Sequence, residues 1–254
     1  MNYLAHLHLG GPAPQQLLGS LYGDFVKGSL EGRFPPALEA AIRLHRHIDS
    51  YTDQHPLVLA ALARFPRERR RFAGIVLDVF FDHCLARHWG DYAEQPLAQF
   101  TGDFYRVLLA EPALPGRLAR IAPFMAADDW LGAYDDFATL DQVYKGIARR
   151  LSRPEGMAGV MGELERLYEP LLADFREFYP QLQAFAASGR ASSPASRLPQ
   201  GLHSTQERGE PVGAGLPAKG PEQTAQRRHT TTQRQKSHIC ANGTCENPNP
   251  LLES

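Results

Sequence analysis

Residues 44–56 read LHRHIDSYTDQHP, three histidines and two aspartates in thirteen positions. Imidazole and carboxylate groups gathered at this density suit two tasks, moving protons at neutral pH and holding a hard divalent cation. Helical residues four apart lie ~6 Å along the axis on one side. His45, Asp49 and Asp53 therefore form one polar ridge, with His47 on another side. A second stretch, GIVLDVFFDHCLARHWG at 74–90, carries Asp78 and Asp82 four apart, with His83 beside Asp82. Its remaining residues (Ile75, Val76, Leu77, Val79, Phe80, Phe81, Leu85) make this helix apolar nearly all round, so it must be buried. A buried carboxylate needs a partner, and no Lys or Arg stands between Phe72 and Ala86.

Two further segments add to the set. GDFVKG places Asp24 next to Gly23 at the end of a helical pattern, and NYLAHLHLG places His6 and His8 in a short apolar segment. Oxygen and imidazole donors without thiolate suit Mg²⁺, Mn²⁺ or Fe²⁺ better than structural zinc. The expectation is that Asp24, Asp49 and Asp82 converge with His45 and His83 around one cation site, with His6, His8, Asp53 and Asp78 behind them. One ion or two both fit this set. His45 or His83 serves as a ligand or as the general acid.

The elements that must position these residues are helices. Helical patterns cover 14–26, 36–55, 67–89, 94–110, 114–126, 139–151, 155–172 and 173–186, with Pro and Gly at the breaks. No segment reads as a convincing strand. The expected fold is all-α, one compact helical domain over residues 1–186. Composition changes there: residues 187–254 are rich in Gly, Pro, Ser, Thr, Gln and Arg and poor in apolar side chains, which predicts a disordered, low-complexity tail. Cys240, Cys245 and His238 fall in that tail at a spacing that matches no standard zinc pattern.

A net charge of −1 gives the whole chain no pull toward nucleic acid or an acidic membrane. Three cysteines without framework spacing indicate a reducing compartment. No apolar run approaches the ~20 residues that span a bilayer, and MNYLAHLHLGG lacks the basic start of a signal peptide. These features predict a soluble cytoplasmic protein. One local charge run, RFPRERRRF, holds Arg64, Arg67, Arg69, Arg70 and Arg71 just before the helix of Asp78 and Asp82. Arginines at a helix N-terminus oppose the helix dipole, so the run is a candidate surface for an acidic partner.

MNYLAHLHL, GDFVKG, LHRHIDSYTDQHP and GIVLDVFFDHCLARHW, in that order, resemble the acyl carrier protein phosphodiesterases. The likeness extends through residues 1–186. It implies an all-α fold related to the HD-type metal phosphohydrolases. It also implies hydrolysis of the phosphodiester joining 4′-phosphopantetheine to a serine of holo-acyl carrier protein, with a divalent cation, typically Mn²⁺. Asp24, His45, Asp49, Asp82 and His83 fall in the shared motifs, as do His6, His8, Asp53 and Asp78. The adjacent pair here is Asp82-His83, reversed from the His-Asp order of the HD signature. Two other readings share the same residues: an HD-like phosphohydrolase acting on a nucleotide, and a non-catalytic module that binds acyl carrier protein or phosphopantetheine.

Overall fold

The structure, a computed structural model, describes residues 1–192. Among these residues the chain is helical, with no strand: α1 (Tyr3–Gly10), α2 (Pro14–Tyr22), α3 (Pro36–Gln54), α4 (Pro56–Ala63), α5 (Arg70–Arg87), α6 (Leu97–Ala110), α7 (Gly116–Ala127), α8 (Thr139–Ala148) and α9 (Val160–Ser192). Single 3₁₀ turns at Trp89–Asp91, Gly132–Asp135 and Pro154–Met157 link them. No described helix is long and apolar enough to cross a membrane.

The centre of the fold is α5. Thirteen of its residues are buried, from Phe72 to Ala86, as its nearly continuous apolar sequence requires. α9 lies along it and also packs on α1, α3 and α4. Phe81 meets Phe175 and Phe178 across that contact. α2 lies against α3, and Gly19 makes this approach possible: a Cβ there would fall 2.4 Å from Ala41 Cβ and 2.8 Å from the Leu38 carbonyl oxygen.

Several boundaries differ from those expected. The pattern at 36–55 ends in α3 as predicted, but Pro56 then opens α4, where fixed φ and the missing N–H suit a first helical position. The His55 side chain accepts the Leu57 N–H and caps it. The two helices expected at 155–172 and 173–186 are one helix, running through Pro170 and Pro180. The stripe Leu164, Leu171, Phe175, Phe178, Leu182 and Ala186 is buried along its length, and this packing holds the helix together despite two missing donors. α9 also continues to Ser192, so residues 187–192 are helix rather than tail. Arg190 donates to the Leu9 carbonyl and secures that last turn. Residues 193–254, including Cys240, Cys245 and His238, lie outside the described residues.

Short α1 escaped the periodicity reading because eight residues apolar on every side show no moment. Leu4, Ala5, His6, Leu7 and Leu9 are all buried. Its N-cap, Asn2, supplies no side-chain cap. The Asp82 carboxylate of α5 does so instead, accepting the Leu4 N–H at 2.8 Å and the Ala5 N–H at 3.2 Å.

Candidate metal centre

Two helices and a turn bring their polar groups to one place. α1 supplies His6, α3 supplies His45 and Asp49, and the turn after α2 supplies Asp24. His6 Nε2 lies 3.0 Å from Asp49 Oδ1, and His45 Nε2 lies 3.2 Å from Asp49 Oδ2. Asp24 Oδ1 stands 3.9 Å from the same His45 nitrogen. The two imidazoles are stacked, their centroids 3.7 Å apart. They form a floor with only 1–2% of their side-chain surface exposed, whereas Asp24 and Asp49 are 34% and 43% exposed and face the opening.

Local sequence explains the placement of His45. An i, i+4 step on α3 sets it beside Asp49. Gly23 lets the ring in, since a Cβ at that position would fall 2.2 Å from His45 Cγ and Cδ2. His45 Nδ1 is 2.7 Å from the Ser20 carbonyl oxygen. A carbonyl only accepts, so Nδ1 carries the hydrogen, and Nε2 of the neutral ring turns its lone pair toward two carboxylates.

That arrangement is repulsive unless a proton or a cation lies between the groups. Burial opposes the charged form of His45, yet the Asp24 and Asp49 carboxylates raise its pKa above the usual value of 6.5. Burial and the neighbouring His45 lower that of His6. Burial alone would raise Asp49, but His6 and His45 hold it well below the usual carboxylate range. His6 Nδ1 is buried without a hydrogen-bond partner. His6, His45 and Asp49 offer three donor atoms, all within 4.8 Å of one another, and among the described residues they are the one such group of histidine, cysteine or acidic side chains. Two imidazoles and a carboxylate fit a divalent cation such as Mn²⁺ or Fe²⁺.

The other candidate residues lie around this group in different roles. Asp78 accepts a hydrogen bond from the Met1 amine at 3.1 Å, and that amine is 3.9 Å from Asp49. Asp82 is fully buried and spends both oxygens on α1; burial pushes its pKa up to about 7. His83 is engaged at both nitrogens. Nδ1 donates to the Tyr134 carbonyl at 2.7 Å, and Nε2 accepts the Tyr168 hydroxyl at 2.9 Å. The structure thus unites Asp24, His45, Asp49 and His6 but places His83 in a separate aromatic pocket with Phe137 and Tyr168. His8 points to another side of α1, 2.6 Å from the Tyr179 hydroxyl and edge-on to Trp89; burial pushes it down to about 4. Asp53 is exposed, one turn beyond Asp49.

The arginine run is divided. Arg64 makes a two-pronged pair with Asp174 of α9, at 2.6 and 2.9 Å. Arg69 donates to the carbonyls of Gly156 and Ala158 and lies 3.5 Å from Glu163. These two arginines fasten α9 and the turn before it. Arg67, Arg70 and Arg71 are exposed. Sequence reasoning gave His6 a supporting place and overlooked Gly23 and the Ser20 carbonyl. A glycine next to the aspartate of GDF was the available signal for a close approach.

Fold and site together define an all-α domain with a buried histidine–carboxylate cluster of metal-ligand type. The profile of the family described as acyl carrier protein phosphodiesterase matches residues 1–182. An acyl carrier protein phosphodiesterase of Serratia proteamaculans is 40% identical over 184 residues, covering 72% of this chain and 95% of that protein. The Yersinia pestis protein of the same name is 37% identical with the same coverage. One from Escherichia coli O6:H1 is 38% identical over 189 residues, 74% of this chain and 98% of its own. No solved structure matches the chain. The chain belongs to the acyl carrier protein phosphodiesterase family, a family of enzymes.

Proposed function

We propose that this protein hydrolyses the phosphodiester between 4′-phosphopantetheine and the serine of holo-acyl carrier protein, releasing apo-acyl carrier protein and 4′-phosphopantetheine, with Mn²⁺ as the working cation. The observation that carries the metal dependence is how His45 is held: its Nδ1 lies 2.7 Å from the Ser20 carbonyl oxygen. Its Nδ1–H is committed to Ser20, so its Nε2 lone pair and the Asp49 carboxylate converge on a place where positive charge is required.

His6, His45 and Asp49 would hold the ion. A bound divalent cation supplies neutralisation of the phosphoryl oxygens and acidification of a water. The residues do the rest. Asp24, on the open side and 3.9 Å from His45, is the carboxylate that a substrate meets, placed to hold the attacking water and to exchange its proton. The buried floor keeps both imidazoles from rotating, and Ser20 fixes one of them. Asp82 positions His6 by capping α1. The proton that Asp24 takes from the attacking water is the one returned, directly or through solvent at the open side, to the departing serine oxygen, so the step balances.

The test is mass spectrometry of holo-acyl carrier protein after incubation with enzyme and Mn²⁺. The expected product is the apo mass together with free 4′-phosphopantetheine, and EDTA suppresses both. An unchanged holo mass at saturating Mn²⁺ contradicts the reading.

A further inference from the structure

Beside the open edge of the metal centre lies a cationic face. Phe25 follows Asp24 directly, stacks on Tyr3 with centroids 6.2 Å apart, and has the Arg117 guanidinium over its ring at 5.8 Å. Arg117 begins a stripe on α7 that continues through Arg120 and Phe124, at spacings of three and four. The opposite side of α7, Leu118, Ile121, Ala122 and Met125, is buried. The outer stripe faces solvent: Arg120 is exposed, and Phe124 keeps 45% of its surface in water. Leu109 at the end of α6 is 55% exposed.

Two features set this face apart from an ordinary solvated surface. Within α7 there is no acidic residue, Asp128 standing only at its C-cap, and both its arginines lie in its first half, where they oppose the helix dipole. Arg64 and Arg69 are bound to α9 and the turn before it, whereas the Arg120 side chain is exposed. Second, the loop after Asp24 is pinned from behind. Arg46 donates to the carbonyls of Val26 and Gly28, and Arg33 donates to those of Lys27 and Ser29. The guanidinium groups are thus consumed in shaping the loop, while the Lys27 side chain is left exposed at its tip.

We propose that Lys27, Arg120 and Phe124, bordered by Phe25 and Arg117, form the docking surface for the protein part of the substrate, an acidic helical surface of the carrier protein around its modified serine. The inference rests on the function proposed above. Arg120 one turn before an exposed aromatic, with Lys27 on the neighbouring loop, complements an acidic amphipathic surface, and the Arg117–Phe25 contact joins α7 to the turn that carries Asp24, which brings the attached phosphodiester to the cation site. The face replaces the Arg64–Arg71 run in that role.

The test is binding without turnover. Fluorescently labelled holo-acyl carrier protein is titrated with EDTA-treated enzyme at low salt and followed by anisotropy. Lys27→Glu with Arg120→Glu is expected to weaken the dissociation constant about tenfold or more, with Mn²⁺ affinity and melting temperature unchanged. Arg67→Glu with Arg70→Glu, the control, is expected to bind like wild type. Unchanged binding by the Lys27/Arg120 variant overturns the proposal, as does equal weakening in the control or a loss of Mn²⁺ affinity together with carrier binding. Wild type that binds and does not hydrolyse overturns the proposed function and leaves the surface intact.

Discussion

His6 and His45 come from helices α1 and α3 and stack with ring centroids 3.7 Å apart, each directing Nε2 to a different oxygen of Asp49. Two imidazolium ions cannot share that position, since like charges at this separation repel strongly in a buried site. The pair therefore accommodates one added positive charge, a proton or a cation, between the rings and the carboxylate.

Protons and metal should compete for this place. The His45 pKa is raised in the folded protein, and a ligating imidazole must be neutral. Mn²⁺ affinity is then expected to increase with pH through the neutral range and to level off above the raised pKa. Below it, the loss should be about tenfold per pH unit for one displaced proton. Calorimetric titrations between pH 6 and 9 read this out directly, and an affinity flat across the range would argue against His45 as a ligand.

Gly23→Ala tests the approach of the turn to His45. Gly23 has ordinary helical backbone angles, φ −50° and ψ −36°, so alanine meets no conformational penalty there. The expected effect is steric, because the new Cβ falls 2.2 Å from the ring. Such overpacking costs roughly 1–3 kcal/mol, and displacement of Nε2 should also weaken Mn²⁺ binding. A variant with wild-type melting temperature and wild-type affinity would show that the ring has room to move.

Asp82 caps α1, the helix that carries His6. Asp82→Ala leaves the Leu4 and Ala5 amides buried and without their acceptor, at about 1–3 kcal/mol per lost bond. Melting temperature and Mn²⁺ affinity should fall together, and Asp82→Asn, which keeps one acceptor, should recover part of each. The pH dependence has a definite sign. The carboxyl of folded Asp82 titrates near 7, above its usual 3.8, so the folded state holds the proton more firmly. Wild type should gain stability over Asp82→Asn as pH falls from about 7 toward 4; the opposite trend would contradict the buried-acid description.

Charge reversal within the arginine run should separate into two classes. Arg69→Glu loses the carbonyls of Gly156 and Ala158 and sets a carboxylate near Glu163. It should lower stability by about 2 kcal/mol or more. Arg70→Glu, on an exposed side chain at the start of α5, should stay within about 0.5 kcal/mol of wild type. Chemical denaturation of the two single variants checks this, and equal effects would show that Arg69 is no more structural than its neighbour.

Much of this was legible in the sequence because periodicity and chemistry coincided. The ridge of His45 and Asp49 was visible as an i, i+4 step, and apolar α5 announced its burial. The buried carboxylate of Asp82 did need a partner, but that partner was the backbone of α1, which no side-chain pattern reveals. His83 looked like a ligand by adjacency to Asp82. On a helix, however, neighbours point about 100° apart, and it turns toward Tyr134 and Tyr168 instead. The arginine run looked like a surface because Asp174 and Glu163 lie about a hundred residues downstream. The break expected between 172 and 173 is overridden by the packing of α9, which runs unbroken through Pro170 and Pro180.

The proposed function depends on a cation held by His6, His45 and Asp49. Its most direct test measures bound Mn²⁺ and release of 4′-phosphopantetheine in the same samples of wild type and Asp49→Ala, with folding of both verified by circular dichroism. Wild type is expected to show a saturable Mn²⁺ site and turnover. The variant is expected to bind Mn²⁺ at least about tenfold more weakly, with no more than trace turnover. Asp49→Ala that binds Mn²⁺ and releases 4′-phosphopantetheine as wild type does would contradict that dependence.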